Sequence, residues 1–371
     1  MGQVHAGGHS MRTGILRIIT GKELRDQIRS KKFRTLFAIL LIIAVAGLID
    51  GATSYQEGLE RYNEMQAAAS EGEEDLSYSY YEGKPSFLGA FNIIGYLLST
   101  VAAVLGIAMG FDLITAEKES KSLKILLSHP VYRDEVITGK ALGGAAAIAL
   151  AMGIMLIVSL ALMLVFGIVP NFEETVRILL FGIISFLGVF TFFAIALFMS
   201  TVARNSGNAL IGSLAIFIVL GIFLPSLAGN GALTNALFGE RPEPPQTSGP
   251  STFADVEEHN RLWDEYQEKN RIYQMKVQGL HDTTDLLSPT RNYMEMVGAV
   301  ADPRDTAAMV SGAFYLDWED TKEFYATLPD NGLEIFVGLL GSLAKNIVAM
   351  LVVPAAFFGL AWVRFAREDI R

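Results

Sequence analysis

The stretch ALGGAAAIALAMGIMLIVSLALMLVFGIV, residues 141–169, runs 29 residues without a charge and is closed by Pro170. As a helix it extends about 43 Å, more than the roughly 30 Å hydrocarbon core of a bilayer. The run therefore reads as a membrane span. Comparable runs lie at 33–49, closed by Asp50, and at 87–111, 178–202 and 209–227. The last, 335–363, carries one charge, Lys345. This predicts an all-α integral membrane protein with six transmembrane helices and both termini on one side. The composition agrees, with 51% hydrophobic residues and only 18% charged over 371 residues. Mean hydropathy is +0.37, whereas soluble domains are about 25% charged. The absence of cysteine excludes a disulfide framework, a thiolate metal site and a catalytic thiol. A pI near 5.1 argues against nucleic acid as a partner.

Basic residues set the orientation. With the N-terminus inside, the inner segments 1–34, 112–140, 203–208 and 364–371 hold 17 Lys and Arg, and the longer outer segments hold 11. Basic density is about threefold higher inside, so the N- and C-termini are expected to be cytoplasmic and the protein to sit in a plasma membrane. Residues 1–10 lack the apolar core of a signal peptide, and Met11 is an equally good start. In segment 1–32, apolar Ile15, Leu16, Ile18, Ile19, Leu24 and Ile28 recur among Arg17, Lys22, Arg25 and Arg29. This is the pattern of a basic amphipathic helix at the lipid headgroups; a generic topology anchor is the plainer reading. The absence of cysteine and the acidic outer segments fit a prokaryotic membrane.

The loop 112–140 reads as a short charged helix ended by Pro130 and a second helix running into the third span. Its physics fits either a solvated connector or a docking element. Its residues add a resemblance. Glu117-Lys118-Glu119, Leu123, Leu126-Leu127, Ser128, Pro130, Arg133, Glu135 and Gly139-Lys140 resemble the permease subunits of ABC-2-type exporters, in particular the nitrous-oxide-reductase maturation permease branch. Lys22-Glu23-Leu24 resembles the family's opening, while Lys121-Ser122 stands where the family has Gly-Thr. The resemblance implies that this loop is a coupling helix. Glu117, Glu119, Leu123, Leu126 and Arg133 would dock an ATP-binding subunit and transmit movement. Two copies of that subunit, carrying ATP and Mg, would serve a homodimer of this chain. The chain has no phosphate-binding Gly-x-x-x-x-Gly-Lys-(Ser/Thr) loop of its own. No enzymatic role and no cofactor or metal in this chain are expected.

Lys345 and Asn346 interrupt the last span and are candidates for a membrane-embedded functional site. In the competing geometric reading, 346–363 crosses the bilayer and Lys345 snorkels at its outer edge. Residues 335–344 would then form a re-entrant stub broken near 339–342, within a last segment 334–371. Pro225 similarly predicts an early end to the fifth span and a stub over 226–238. Ser99, Thr100, Ser159, Ser185 and Thr191 read as helix–helix contacts, and Gly143, Gly144 and Gly188 as close-packing points.

Following the block 33–227, residues 228–333 are too long for a plain loop and read as an extracellular helical insertion between helices 5 and 6. After a Pro-rich linker, Val256, Trp263, Tyr266, Tyr273, Val277 and Leu280 mark one long helix. Ser288-Pro289 marks the start of a second, and Tyr315, Trp318, Phe324 and Tyr325 a third element. A copper reading of His281, Met294 and Met296 is weaker than ordinary packing. Three functions stay open: an ATP-driven exporter subunit, a mechanotransmitting subunit acting on an extracytoplasmic protein, and an ATP-independent secondary transporter. The last would need ionisable groups at mid-membrane.

Overall fold

The computed structural model describes residues 5–70, 85–122, 132–245, 253–313 and 318–367. Every regular element among them is helical, and six helices are long and apolar enough to cross a membrane. The protein is an all-α integral membrane protein. Leu123 and Leu126, Tyr315 and part of the Pro-rich linker lie outside the described residues. The chain divides into two compact units, Met1–Ile216 with Asn292–Arg371, and Phe217–Arg291. The boundary between the units, at 291/292, falls within the segment 228–333.

In the first unit, α1 (His5–Arg29) precedes α2 (Lys31–Ser70), α3 (Gly89–Gly110), the short α4 (Thr115–Glu119), α5 (Arg133–Val165) and α6 (Phe172–Val202). Helix α2 runs on well past Asp50, where the apolar run stops. Its apolar run ends there, but no proline follows before Pro85, so the polar residues continue the same helix. Leu40, Ala44, Leu48 and Ala52 form its buried seam, at the four-residue spacing of one helical face. Gly51 lets α2 meet α3, because a Cβ there would lie 2.1 Å from that of Ala90.

Helices α3 and α6 form the centre. A Cβ on Gly106 would sit 2.5 Å from the Val189 carbonyl oxygen, and one on Gly110 2.7 Å from that of Phe193. Small residues allow the backbones this approach. Gly144 of α5 meets the Phe193 ring in the same way. Of the hydroxyl residues expected between helices, Ser99, Ser159 and Thr191 bond carbonyls of their own helices. Ser185 instead shares a 3.2 Å hydrogen bond with the Tyr293 hydroxyl. Helix α1 lies across the start of α5, where Gly139 and Gly143 leave a groove for Ile19, Thr20 and Glu23.

Helix α7 spans Ser206–Ala228 and contains a π-helical turn, Ile218–Phe223. The sequence places its end at Pro225, but the helix continues to Ala228. The widened turn immediately before Pro225 gives its ring room and absorbs the hydrogen bond it cannot donate. The break falls at Gly229–Asn230, where the Asn230 side chain accepts from Leu233 N at 3.1 Å and caps α8 (Gly231–Phe238). In the Phe217–Arg291 unit, α9 (Phe253–Leu287) is a single helix. The Tyr273 hydroxyl of α9 donates to Thr234 Oγ1 and Asn235 Oδ1 of α8, at 3.2 and 3.1 Å. Helix α10 (Pro289–Ala301) begins where Ser288-Pro289 predicts, with Ser288 Oγ accepting from Arg291 N at 3.3 Å.

After α11 (Pro303–Ser311) and α12 (Trp318–Thr327), α13 (Gly332–Ala366) runs unbroken. The re-entrant stub over 335–344 is absent. Ile335, Phe336, Leu339, Leu343, Asn346 and Met350 are all buried at three- and four-residue steps. Gly338 and Gly341 lie off this packing face, whose burial outweighs the ~1 kcal/mol that each glycine costs a helix.

Candidate coupling site

Three consecutive charges, Glu117-Lys118-Glu119, end the five-residue helix α4, and each reaches a different membrane helix. Glu117 Oε1 pairs with Lys140 Nζ of α5 at 2.9 Å. Lys118 Nζ donates to the Thr201 carbonyl at 2.8 Å, at the end of α6. Glu119 accepts from Ser206 N at 2.7 Å and Ser206 Oγ at 3.1 Å, at the start of α7. The signs suit their positions. A cation at a helix C-terminus and an anion at an N-terminus both meet the partial charge of exposed backbone groups.

Further bonds fix α4. Ser200 Oγ accepts from Ile114 N and Thr115 N at 2.9 and 3.1 Å. Ser206 Oγ also donates to Thr115 Oγ1 at 3.0 Å. Lys140, 5% exposed, holds Glu23 of α1 at 3.0 Å as well as Glu117. Gln27 of α1 donates to Glu23 and to the Met109 carbonyl, both at 3.3 Å. Lys32, at the start of α2, pairs with Asp112 and stands 4.6 Å over the Phe111 ring. This node joins α1, α2, α3, α5, α6 and α7 at one end of the bundle.

Of the residues that the sequence assigns to docking, Glu117 and Glu119 thus turn inward to intramolecular partners. Arg133 is half-buried in the first turn of α5. There the Glu135 carboxylate accepts from Tyr132 N at 3.1 Å. Sequence reasoning missed Glu23, Lys118, Lys140 and Ser200 as members of the site. A usable signal was Glu23, one of two acids with Asp26 in a mainly basic helix.

The opposite end of the bundle is held by Arg177 of α6. Its guanidinium donates to the carbonyls of Val300 and Ala301 at 2.8 and 3.0 Å, capping α10, and pairs with Glu173 at 3.1 Å. Glu173 also accepts from Leu333 N of α13 at 3.1 Å. Gly332 is small of necessity, since a Cβ there would lie 2.5 Å from Arg177 Nη1. Helix α10 packs into the bundle through Val297 against Gly95 and Tyr293 against Gly188. The other candidate pair separates: Asn346 is buried and Lys345 exposed.

Of the six apolar helices, α2, α3, α5, α6 and α7 meet at one charged node, the plan of a multi-span membrane subunit. The chain belongs to the ABC-2 family of transporter proteins, whose family model matches residues 17–370. Members of this family are transmembrane permease subunits that normally work with an ATP-binding subunit and are not themselves catalytic. No curated protein matches the chain.

Proposed function

We propose that this chain is the permease subunit of an ATP-driven exporter, within or near the nitrous-oxide-reductase maturation branch. It works as a homodimer with two ATP-binding subunits on the side of its N- and C-termini, the cytoplasm. The observation that carries this reading is the Glu117-Lys118-Glu119 clip, in which one short loop grips α5, α6 and α7 together. A push on the following residues then moves several helices as one body. In this division of work Leu123, Leu126 and Arg133 touch the ATP-binding subunit, while Glu117 and Glu119 pass the displacement inward. Residues Lys345 and Asn346 belong to the path of the substrate.

The test is reconstitution with the ATP-binding subunit in lipid. Leu126→Glu is expected to abolish co-purification of the ATP-binding subunit. Glu119→Ala is expected to leave the complex intact but to lower transport per ATP hydrolysed. Loss of binding in Glu119→Ala would instead make that residue a docking contact. A second reading, force passed to an extracytoplasmic protein, is favoured by α10, which is anchored to α6 by Arg177 and continues the chain from α9. Cross-linking α9 to such a protein in cells distinguishes it.

A further inference from the structure

Helix α1 has two unlike faces. The inward one is locked to the bundle: Gly139 of α5 leaves room for Ile19, Gly143 leaves room for Glu23, and Glu23 pairs with Lys140 at 3.0 Å. The outward one carries Arg17, Arg25 and Arg29, all exposed, at multiples of four residues, so they share one stripe. Lys22 beside them is exposed too and has Asp26 at 4.0 Å. No carboxylate among the described residues pairs with Arg17, Arg25 or Arg29. Gly21 completes the row, and a Cβ on it would meet nothing within 4 Å, which leaves a notch between Arg17 and Arg25. Ile18, 72% exposed, borders the same row.

The depth of α1 follows from what it touches. Gly139 and Gly143 straddle Ala141, where the apolar run of α5 opens. Gln27 donates to the Met109 carbonyl at 3.3 Å, just before the apolar run of α3 closes at Phe111. The next helix, α2, begins its own run at Phe33. Helix α1 therefore lies where three spans leave the hydrocarbon, at the level of lipid phosphates. Clustered Lys and Arg at that level attract anionic lipid. Ile18 within the row suits acyl chains beside a headgroup, and an acidic soluble partner has no use for it.

We propose that the outward face of α1 binds anionic phospholipid and that the bound lipid steadies the clip around α4. Arg17, Arg25 and Arg29 take the phosphates, which suit guanidinium groups. The link inward is short, because the opposite face of the same helix turn holds Glu23, Glu23 holds Lys140, and Lys140 holds Glu117 at 2.9 Å. Only α1 docked on α5 keeps the arginines at phosphate depth. The lipid therefore binds the docked state in preference to the lifted one and shifts the balance toward a closed clip.

The test reconstitutes the full chain in nanodiscs of phosphatidylcholine, alone or mixed equally with phosphatidylglycerol. Hydrogen exchange of the peptide covering α4 is expected to slow about tenfold with phosphatidylglycerol, as for a ligand at about ten times its dissociation constant. Native mass spectrometry after transfer to detergent counts the phosphatidylglycerol retained. Arg25→Gln with Arg29→Gln is expected to remove the slowing and to lower the retention. Arg364→Gln with Arg367→Gln removes the same charge from the exposed end of α13 and is expected to leave the slowing intact. Glu23→Leu is expected to keep the retained lipid and lose the slowing; if that variant fails to fold, the two arginine pairs decide. Equal exchange in the two lipids, or slowing that survives Arg25→Gln with Arg29→Gln, overturns the proposal. So does loss of the slowing in the α13 pair, which makes net charge the cause. If the α1 pair instead retains phosphatidylglycerol and loses a co-expressed ATP-binding subunit, the face docks that subunit and the lipid site is overturned.

Discussion

Lys140 holds two carboxylates, Glu23 at 3.0 Å and Glu117 at 2.9 Å, in a place almost closed to solvent. Removing only the cation leaves two like charges buried together, which costs about 3–5 kcal/mol. Lys140→Met is therefore expected to melt well below the parent in detergent, and adding Glu23→Gln and Glu117→Gln to recover much of the loss. Equal melting of the single and triple variants would contradict the pairing. Asp302, the N-cap of α11, accepts from Asp305 N at 3.3 Å. Burial, and then the neighbouring Asp305 charge, raise its carboxyl above the usual range. A raised carboxyl binds its proton more tightly in the folded protein, so this group adds stability as pH falls through the raised value toward the ordinary one, and costs stability above it. Asp302→Asn keeps the cap. It is expected to raise the melting temperature at pH 7 and to flatten the acid limb of the melting profile. At this scale the sequence marked Glu117 and Glu119 but not the partners they hold within the chain. Ser206 lies 87 residues from Glu119 and Lys140 lies 117 from Glu23, separations that leave no local periodicity to read.

Helix positions were legible because each bilayer crossing leaves an uninterrupted apolar run, while helix ends were less so. Asp50, Pro225 and the glycines near 341 look like stops locally, yet packing or a π-helical turn carries each helix through. The buried helix α10 was legible as a helix through Ser288-Pro289, but not as part of the bundle. Its fit depends on absent side chains at Gly95 and Gly188. Arg177→Met removes the donors of two buried carbonyls and is expected to cost about 1–3 kcal/mol for each group left unsatisfied. Hydrogen exchange should show faster opening of 289–301 than of α3. At the other end, Gly143→Leu collides with Glu23 Cβ and the Thr20 carbonyl, where a Cβ alone would approach within 2.5 and 3.0 Å. It should lift α1 from α5 and expose Arg25 and Arg29 to faster tryptic cleavage, while α5 itself stays protected.

For the whole molecule, charge is sorted by side. The segments between spans on the side of the termini total +8 and those on the other side −18. Because the chain has no cysteine, any introduced one is a unique reporter of side. Glu57 and Arg204 are both exposed, at opposite ends of the bundle. In intact cells a membrane-impermeant maleimide is expected to label Glu57→Cys, and to label Arg204→Cys only after permeabilisation; the reverse result would invert the orientation. The six-span plan and the family were readable from composition, spacing and the loop motif.

The clip around α4 also orders the making of the protein. Its bonds from Ile114, Thr115, Lys118 and Glu119 reach partners 83 to 87 residues later in the chain. A ribosome has made two further apolar helices, α5 and α6, and reached the start of α7 before all those partners exist. Until then the nascent chain exposes unpaired charges beside the membrane, a signature that quality-control proteases can read. Closing of the clip then marks a bundle fit to leave the insertion machinery.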